Sequence, residues 1–545
     1  MREAYQVAKV RAAEAALMAQ LPAGTLMQRA AAGLASVCVS LLRQGPGGVY
    51  GARVAILAGT GDNGGDALYA GERLARRGAA VTVIQAGPRM HAGGAAALRA
   101  AGGRFIAIVP PRGADDTRPD LAARYDAGHD ARHAIGHADL IIDGLLGIGG
   151  KGGLREPFAT LAQLAANSAG TTIAVDLPSG IDADTGEVEG PAVRADVTVT
   201  FGALKPGLLI DPGSGQAGVV ELVDIGLRPY FDTPPDASAP QAADIARLLP
   251  RPTAESDKYR RGVLGLLAGS DRYTGAALLA TGGAVNGGAG MVRLVTAPRA
   301  AAAVRLVHPE VVLAELPGET TARSMQKDFS PAQHESQFPD DVGRVQAWVA
   351  GPGMGTDDAA ADRLARVLAT NLPVLVDADG LTLLANHREL LPRAAPTLLT
   401  PHAGELGRLL QADPADVAAR RLEHARRAAA EFGVCVLLKG STTVVAPPHN
   451  LDPVLINTTG TPWLATAGTG DVLAGLAGAL LAQGLAAPQA AIAAAYLHGL
   501  AARLAAGTSY RSGSGATFAN EGGEAPIGAS DVVTALHAAF RAIAP

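Results

Sequence analysis

Four residues, Gly468-Thr469-Gly470-Asp471, stand directly before an apolar run from Val472 to Leu481. Glycines just ahead of a helix expose several backbone N–H groups to an anion, and the helix dipole adds to the attraction. A transferred phosphoryl group would sit there. A carboxylate at Asp471 costs repulsion beside that anion unless it takes a proton from an attacking hydroxyl, the base-plus-anion-hole arrangement of phosphoryl transfer. The plainer reading is an N-cap, a common task for Thr and Asp. Its company favours chemistry: Asn457-Thr458-Thr459-Gly460-Thr461-Pro462, Leu438-Lys439-Gly440-Ser441-Thr442-Thr443, Thr400-Pro401-His402-Ala403-Gly404-Glu405 and Asp377-Ala378-Asp379-Gly380. Lys439 suits a nucleotide phosphate, with Ser441 and nearby backbone as donors. His402 reads equally as a ligand or a turn histidine. No G-x-x-x-x-G-K-[ST] is present, so a P-loop is excluded.

A second set lies near the other end. Gly59-Thr60-Gly61-Asp62-Asn63-Gly64-Gly65-Asp66 has the G-x-G-x-x-G form between an expected strand and an expected helix, LYAGERLARRG. That is the dinucleotide fingerprint, but the second strand ends in Gln85-Ala86-Gly87 with no acid for a ribose, and three polar or acidic side chains crowd the loop. The loop looks built to do chemistry or to hold a cation. Two more strand ends, Asp143-Gly144-Leu145-Leu146-Gly147-Ile148-Gly149 and Asp176-Leu177-Pro178-Ser179-Gly180-Ile181-Asp182, carry similar equipment. Carboxyl ends of parallel strands border one crevice, so Asn63, Asp143 and Ser179 are expected to converge on a cation, leaving Asp176 for proton transfer. The alternative is that Asp143 and Asp176 only cap the helices that follow.

The elements that must position these residues are legible as two alternations. Expected strands at Arg53–Ala58, Ala80–Gln85, Asp139–Asp143, Thr171–Asp176 and Asp196–Phe201, separated by helical patterns, imply a parallel sheet with helices on both faces. Beyond the Pro-rich stretch 228–244, read as a linker, Val263–Ala268, Met291–Thr296, Ala347–Ala350, Pro373–Asp377, Val434–Leu438 and Thr442–Ala446 repeat the pattern, with helices at 357–370, 414–432, 471–483 and 488–506. Pro110–His137 and Thr320–Asp341 fit neither sheet and read as surface insertions. His129, His133 and His137 fall on one helix face, but without a matching Cys or carboxylate the reading is a solvated insertion.

Composition narrows the classes. The chain has 545 residues, 48% hydrophobic and 4% aromatic, with 68 glycines, as expected of an Ala/Gly-rich α/β enzyme and not a disordered chain. Its net charge of −5, with no long single-sign block, argues against nucleic acid as a partner. The two cysteines, Cys38 and Cys435, lie far apart and form no CxxC, which fits a reduced cytoplasm. Charges at Arg2, Glu3, Lys9, Arg11 and Glu14 leave no apolar signal region, and Val472–Leu481 is too short to cross a bilayer. A cytoplasmic homo-oligomer without a membrane partner is the expectation.

The first motif set, with Met27 and Gly33 upstream and Phe201-Gly202-Ala203-Leu204-Lys205-Pro206-Gly207 downstream, resembles the NAD(P)H-hydrate epimerase domain across residues 1–227. Those enzymes interconvert the R and S epimers of NADH or NADPH hydrated on the nicotinamide ring. The resemblance implies K⁺ at Asn63, Asp143 and Ser179. It implies substrate contacts at Asp62, Asn63, Gly64, Gly65 and Asp66, at Gly147, Ile148, Gly149, Gly150, Lys151, Gly152 and Gly153, and at Asp176. The second set looks like a ribokinase-like fold. With Ser256-Asp257-Lys258-Tyr259, Ala268-Gly269-Ser270-Asp271 and Gly351-Pro352-Gly353-Met354-Gly355 it resembles the ADP- or ATP-dependent NAD(P)H-hydrate dehydratase domain over 245–545. That implies hydrate contacts at Ala276, Gly353, His402 and Asp471, adenine nucleotide at Lys439, Gly440, Ser441, Thr442, Thr443 and Gly470, and Mg²⁺ bridging the phosphates. The expected architecture is a Rossmann-like three-layer parallel-sheet domain followed by a ribokinase-like α/β domain. The expected activity is repair of hydrated NADH and NADPH, with a small-molecule kinase carrying a non-catalytic first domain as the rival.

Overall fold

The computed structural model describes residues 1–45, 47–108, 121–317, 342–449, 452–508, 510–511, 517–518 and 523–544. It divides into two compact units, Glu3–Asp236 and Ala237–Pro545 with Met1–Arg2. After a short strand β1 (Arg2–Ala4), the first unit contains β2 (Arg53–Ala58), β3 (Ala80–Gln85), β4 (Arg104–Ala107), β5 (Leu140–Gly144), β6 (Thr171–Val175), β7 (Val197–Phe201) and β8 (Val219–Val223). Their order, β4-β3-β2-β5-β6-β7-β8, is parallel throughout and reverses between β2 and β5. Such a reversal opens a crevice at the carboxyl ends of the strands.

Alternate residues of β2 explain the layering. Val54, Ile56 and Ala58 pack with Leu34 and Cys38 of the helix Thr25–Gln44 and Leu68 of the helix Asp62–Ala75. Ala55 and Leu57 face Ala131, Ile135 and Leu161 on the other side. The helix Thr25–Gln44 is long and apolar enough to span a membrane by composition, yet Ala30, Leu34, Cys38 and Leu42 are buried in this core. The expected insertion at 110–137 is corrected in its second half. Leu121–Gly136 is the crossover helix between β4 and β5, obscured in the sequence by the polar residues of its outer face. The rest of that insertion, 110–120, and all of 320–341 lie outside the described residues.

The second unit is built on β9 (Ala237–Ala239), β10 (Val263–Leu267), β11 (Met291–Thr296), β12 (Val312–Glu315), β13 (Ala347–Ala350), β14 (Val374–Val376), β15 (Thr397–Leu399), β16 (Cys435–Leu438), β17 (Thr443–Ala446) and β18 (Val454–Asn457). Their order is β9-β18-β17-β16-β15-β14-β13-β10-β11-β12, parallel except where β17 meets β16 and β18. Within the stretch expected to be linker, β9 is thus a strand on β18. Three-residue strands such as β9 and β15 are too short to show periodicity, and the sequence reading missed them. The helix expected over 414–432 is two, Pro414–Ala419 and Arg421–Phe432, because Arg420 leaves helical geometry at φ −118° and ψ 53°.

The helix Thr469–Ala482 is buried along nearly its whole length, as its uniform apolarity demands. It lies against Thr274–Asn286 through small residues. A Cβ at Gly475 would collide with the Ala280 carbonyl oxygen, and one at Gly283 with that of Val472. Gly475→Ala is therefore expected to force the pair apart and to destabilise this unit by about 1–3 kcal/mol, read from thermal unfolding. An unchanged melting temperature would show that the helices separate freely.

Candidate active sites

In the first unit the helix starts at Asp62, with Gly61 extended before it, so Asp62, Asn63, Gly64, Gly65 and Asp66 form its opening turns and not a preceding loop. Glycine is needed at 64 because a Cβ there would lie 2.6 Å from the Gly59 carbonyl oxygen. The Asn63 amide reaches across the crevice, its Nδ2 donating to the carbonyls of Leu146 at 3.1 Å and Val175 at 2.6 Å. Asp143 is fully buried and caps no helix. It accepts from Ser179 N at 2.8 Å, Ser179 Oγ at 2.7 Å and Leu145 N at 3.2 Å. Burial pushes its carboxyl up to about 6 against those three bonds. Ser179 Oγ also takes Leu146 N at 2.9 Å, so Asn63, Asp143 and Ser179 meet around the Leu146 peptide. Gly147 adjoins this group, since a Cβ there would lie 2.3 Å from Asn63 Oδ1; in the stretch that follows, Gly150 N bonds Gly147 O at 2.9 Å and Gly152 sits at φ +75°.

Asp176 likewise caps nothing. It sits at φ 68°, a region non-glycine residues seldom occupy, and is ion-paired with Lys205, which is itself buried. Asp176 Oδ1 also accepts from Thr200 Oγ1 at 3.0 Å and Phe201 N at 3.3 Å. Three donors therefore fix one oxygen and leave Oδ2 for other work. Asp66 lies in the same field. Burial first, then the charges of Asp176, Asp62 and Glu14, pushes it well above the ordinary carboxylate range, and among the described residues its Oδ1 has no hydrogen-bond partner. Glu14 is raised too, by burial above all, with Lys205 opposing and Asp176 adding. The crevice thus sets one carboxylate ion-paired with a lysine beside two, Asp66 and Glu14, that burial pushes upward. Reading the sequence missed Lys205 and Glu14 as site members. The Leu204-Lys205-Pro206 motif signalled the first; nothing in an alanine-rich helix signalled the second.

In the second unit Gly468, at φ +89°, turns the chain into its helix, and Thr469 Oγ1 closes the turn onto the carbonyls of Leu464 at 2.9 Å and Thr466 at 3.1 Å. The opening N–H groups of this helix therefore precede Asp471 as the motif requires. Lys439 Nζ bonds Asp377 Oδ1 at 2.7 Å and lies 3.7 Å from Glu405 Oε2. A Cβ at Gly470 would come within 3.4 Å of that ammonium, which brings the two motifs together. Burial, then the charge of Asp377, lifts Asp471 to about 7, with Lys439 opposing and Asp379 and Glu405 adding. Lys439 is raised, because its acidic neighbours outweigh its burial.

His402 caps the helix Ala403–Leu410, Nδ1 accepting from Gly404 N at 2.9 Å, while Nε2 stands 3.6 Å from Glu405 Oε1. Its side chain is 56% exposed, and it serves as the turn histidine of this helix. Ala276 and Gly353 are neighbours: a Cβ at Gly353, φ +60°, would lie 2.7 Å from that of Ala276. Gly355 N bonds Asp379 Oδ2 at 3.0 Å, joining this corner to the acids. Lys439, Gly440, Ser441 and Thr442 connect β16 to β17, and Thr443 is already buried strand. Arg421, not singled out from sequence, holds that connection through the carbonyls of Lys439 at 2.7 Å and Thr442 at 3.2 Å. Asn457 and Thr459 are internal: Thr459 Oγ1 donates to Asn457 Oδ1 at 2.9 Å and Asn457 Nδ2 to Ala495 O at 3.0 Å. Of the trio His129, His133 and His137, the first two lie on the helix Leu121–Gly136 and the third directly follows it. Among the described residues no three His, Cys, Asp or Glu side chains form a metal cage, and the His133 and His137 rings simply stack.

Two α/β units, each collecting acids at the carboxyl ends of its parallel strands, define a two-site enzyme of small molecules. Residues 23–207 match the family model described as YjeF-related protein N-terminus, and residues 264–520 the model described as NAD(P)H-hydrate dehydratase. The bifunctional NAD(P)H-hydrate repair enzyme of Mycobacterium leprae is 44% identical over 547 residues, covering 100% of both chains. That of Mycobacterium tuberculosis is 45% identical over 493 residues, 90% of this chain and 91% of its own. A Bacillus subtilis ADP/ATP-dependent NAD(P)H-hydrate dehydratase, crystallised with ATP/Mg²⁺, is similar at TM-score 0.45 and 28% identity, covering 55% of this chain and 97% of that one. The chain belongs to the family of bifunctional NAD(P)H-hydrate repair enzymes, which join an isomerase to a lyase.

Proposed function

We propose that the second unit dehydrates the S form of hydrated NADH or NADPH at the expense of ADP or ATP, and that the first supplies S from R. The observation that supports this most directly is Asp471, lifted to about 7 at the mouth of a glycine-led helix beside Lys439. Asp471 takes the proton of the ring hydroxyl. The hydroxyl oxygen then bonds to the terminal phosphorus, and the bond from that phosphorus to the bridging oxygen breaks. The resulting phosphate ester eliminates inorganic phosphate as the ring loses a proton, and the reduced nicotinamide returns. Hydroxide is a poor leaving group and phosphate a good one, which is the reason for using an adenylate.

Asp377, Asp379, Glu405 and Asp471 outnumber Lys439, so this site fits phosphates that arrive with a cation. Mg²⁺ enters such sites on one or two carboxylates and the substrate phosphates, and needs no ready-made cage. It would neutralise charge on the phosphates, with Asp377 and Asp379 the residues to hold it. In the first unit, Asp143 is buried with hydrogen-bond donors but, among the described residues, no basic partner, near oxygens of Ser179, Leu146 and Val175. That donor set fits K⁺, held by Asn63, Asp143 and Ser179 beside the nicotinamide ring. Asp176, steadied by Lys205, moves the proton in epimer exchange, with the hydrate lying along Asp62–Asp66 and Gly147–Gly153.

Hydrated NADH given to the full chain with and without ADP or ATP tests the reading. Recovery of reduced-nicotinamide absorbance with stoichiometric inorganic phosphate, only when adenylate is present, is expected. A stable phosphate ester would instead establish the kinase, and recovery without adenylate would overturn phosphoryl transfer.

A further inference from the structure

The first unit holds a cavity of about 410 Å³ that the proposed chemistry leaves unused. It lies beyond the carboxyl ends of β2 and β3 and is lined by Thr60, Gly87, Arg89, Arg155, Glu156 and Phe158, among others. Thr60 packs so closely over Gly87 that any side chain at 87 would collide with it, so the fingerprint loop and the cavity floor are one surface. Arg89 and Arg155 are exposed, and among the described residues neither is ion-paired with a carboxylate. The acid in the lining, Glu156, is turned onto the helix that follows it, Phe158–Ala166, where Oε2 takes the Thr160 hydroxyl at 2.7 Å.

Position gives this cavity a meaning. From Asp176, at the end of β6, to the end of β3 the sheet order crosses β5 and β2, three strand spacings or roughly 14 Å. A dinucleotide with its nicotinamide at Asp176 would pass the glycine-led helix start at Asp62 and set its adenosine here. In dinucleotide folds the residue that reads the adenosine ribose stands at or just after the second strand: an acid takes the free 2′-hydroxyl, an arginine a 2′-phosphate. That strand, β3, ends in Gln85, whose Nε2 is occupied by Gly87 O at 2.9 Å, and Arg89 follows four residues later. A 2′-phosphate set in this cavity would meet the two guanidiniums of its lining.

We infer that this cavity is the adenosine subsite of the first unit and that Arg89, aided by Arg155, reads the 2′-phosphate, making the NADPH-derived hydrate the preferred substrate for epimerisation. The inference rests on the reading of this unit as the epimerase. The test uses the full chain without adenylate and follows exchange of separated R and S epimers by chromatography, for both hydrates. The wild type should show the higher kcat/KM with the 2′-phosphorylated hydrate. Arg89→Ala should lower that value by roughly tenfold to a hundredfold, the range for losing a charge-assisted contact, while changing the NADH-derived hydrate less than threefold; Arg155→Ala should act in the same direction. Equal effects on both hydrates, or a wild-type preference for the unphosphorylated hydrate that Glu156→Gln removes, would overturn the inference while leaving the epimerase standing. Absence of exchange with either hydrate would sink the epimerase reading itself, and this inference with it.

Discussion

Asp471→Asn should abolish adenylate-dependent recovery of NADH from its hydrate, with a fall of about three orders of magnitude, and leave R-to-S exchange at its wild-type rate. The size follows from the proton transfer: a positioned general base contributes on the order of a hundredfold to ten-thousandfold, and an amide cannot accept the proton. The amide keeps the shape and removes a charge that Asp377, Asp379 and Glu405 repel, so folding should not suffer. The same carboxylate sets the pH dependence. A group lifted to about 7 is protonated, and idle as a base, below that pH. Dehydratase kcat/KM should therefore climb from pH 6 to pH 8 with a midpoint near 7. Full activity in Asp471→Asn, or loss of both activities together, would refute a separate base in the second site.

Lys205→Met should remove epimerisation and destabilise the first unit, while dehydration of supplied S hydrate continues. Lys205 and Asp176 are buried together, and taking away one member of a buried pair leaves an uncompensated charge at a cost of about 3–5 kcal/mol. Lys205 also bonds Thr200 Oγ1 at 3.0 Å and the Phe201 carbonyl at 3.3 Å, so its removal frees the groups that fix Asp176 Oδ1. Thermal unfolding should show an earlier transition, and exchange measured well below it should already be lost. Asp176→Asn separates the effects, because it removes the carboxylate but leaves a polar partner for the lysine. Exchange that survives both substitutions would mean that Asp66 or another group moves the proton.

Both sheets were legible because strands such as Arg53–Ala58 and Met291–Thr296 are dominated by buried β-branched and aliphatic residues, a pattern visible in a short window of sequence. The glycine-led turn before Asp471 was legible for a related reason: Gly468 sits at φ +89°, a local backbone demand that favours glycine. Short strands such as β9 and β15, and the helix Leu121–Gly136, were lost because their burial is imposed by distant partners.

The sequence by itself determined which side chains stand at the strand ends, among them Asp143, Asp176 and Lys439, and that Asp471 opens a helix, since those positions are marked by local turn chemistry. Only the tertiary structure decided their protonation and pairing. Lys205 finds Asp176 across 29 residues, Lys439 finds Asp377 across 62, and Asp66 is left buried with, among the described residues, no partner for Oδ1. Desolvation and charge depend on what surrounds a group in space, and no spacing along the chain carries that information.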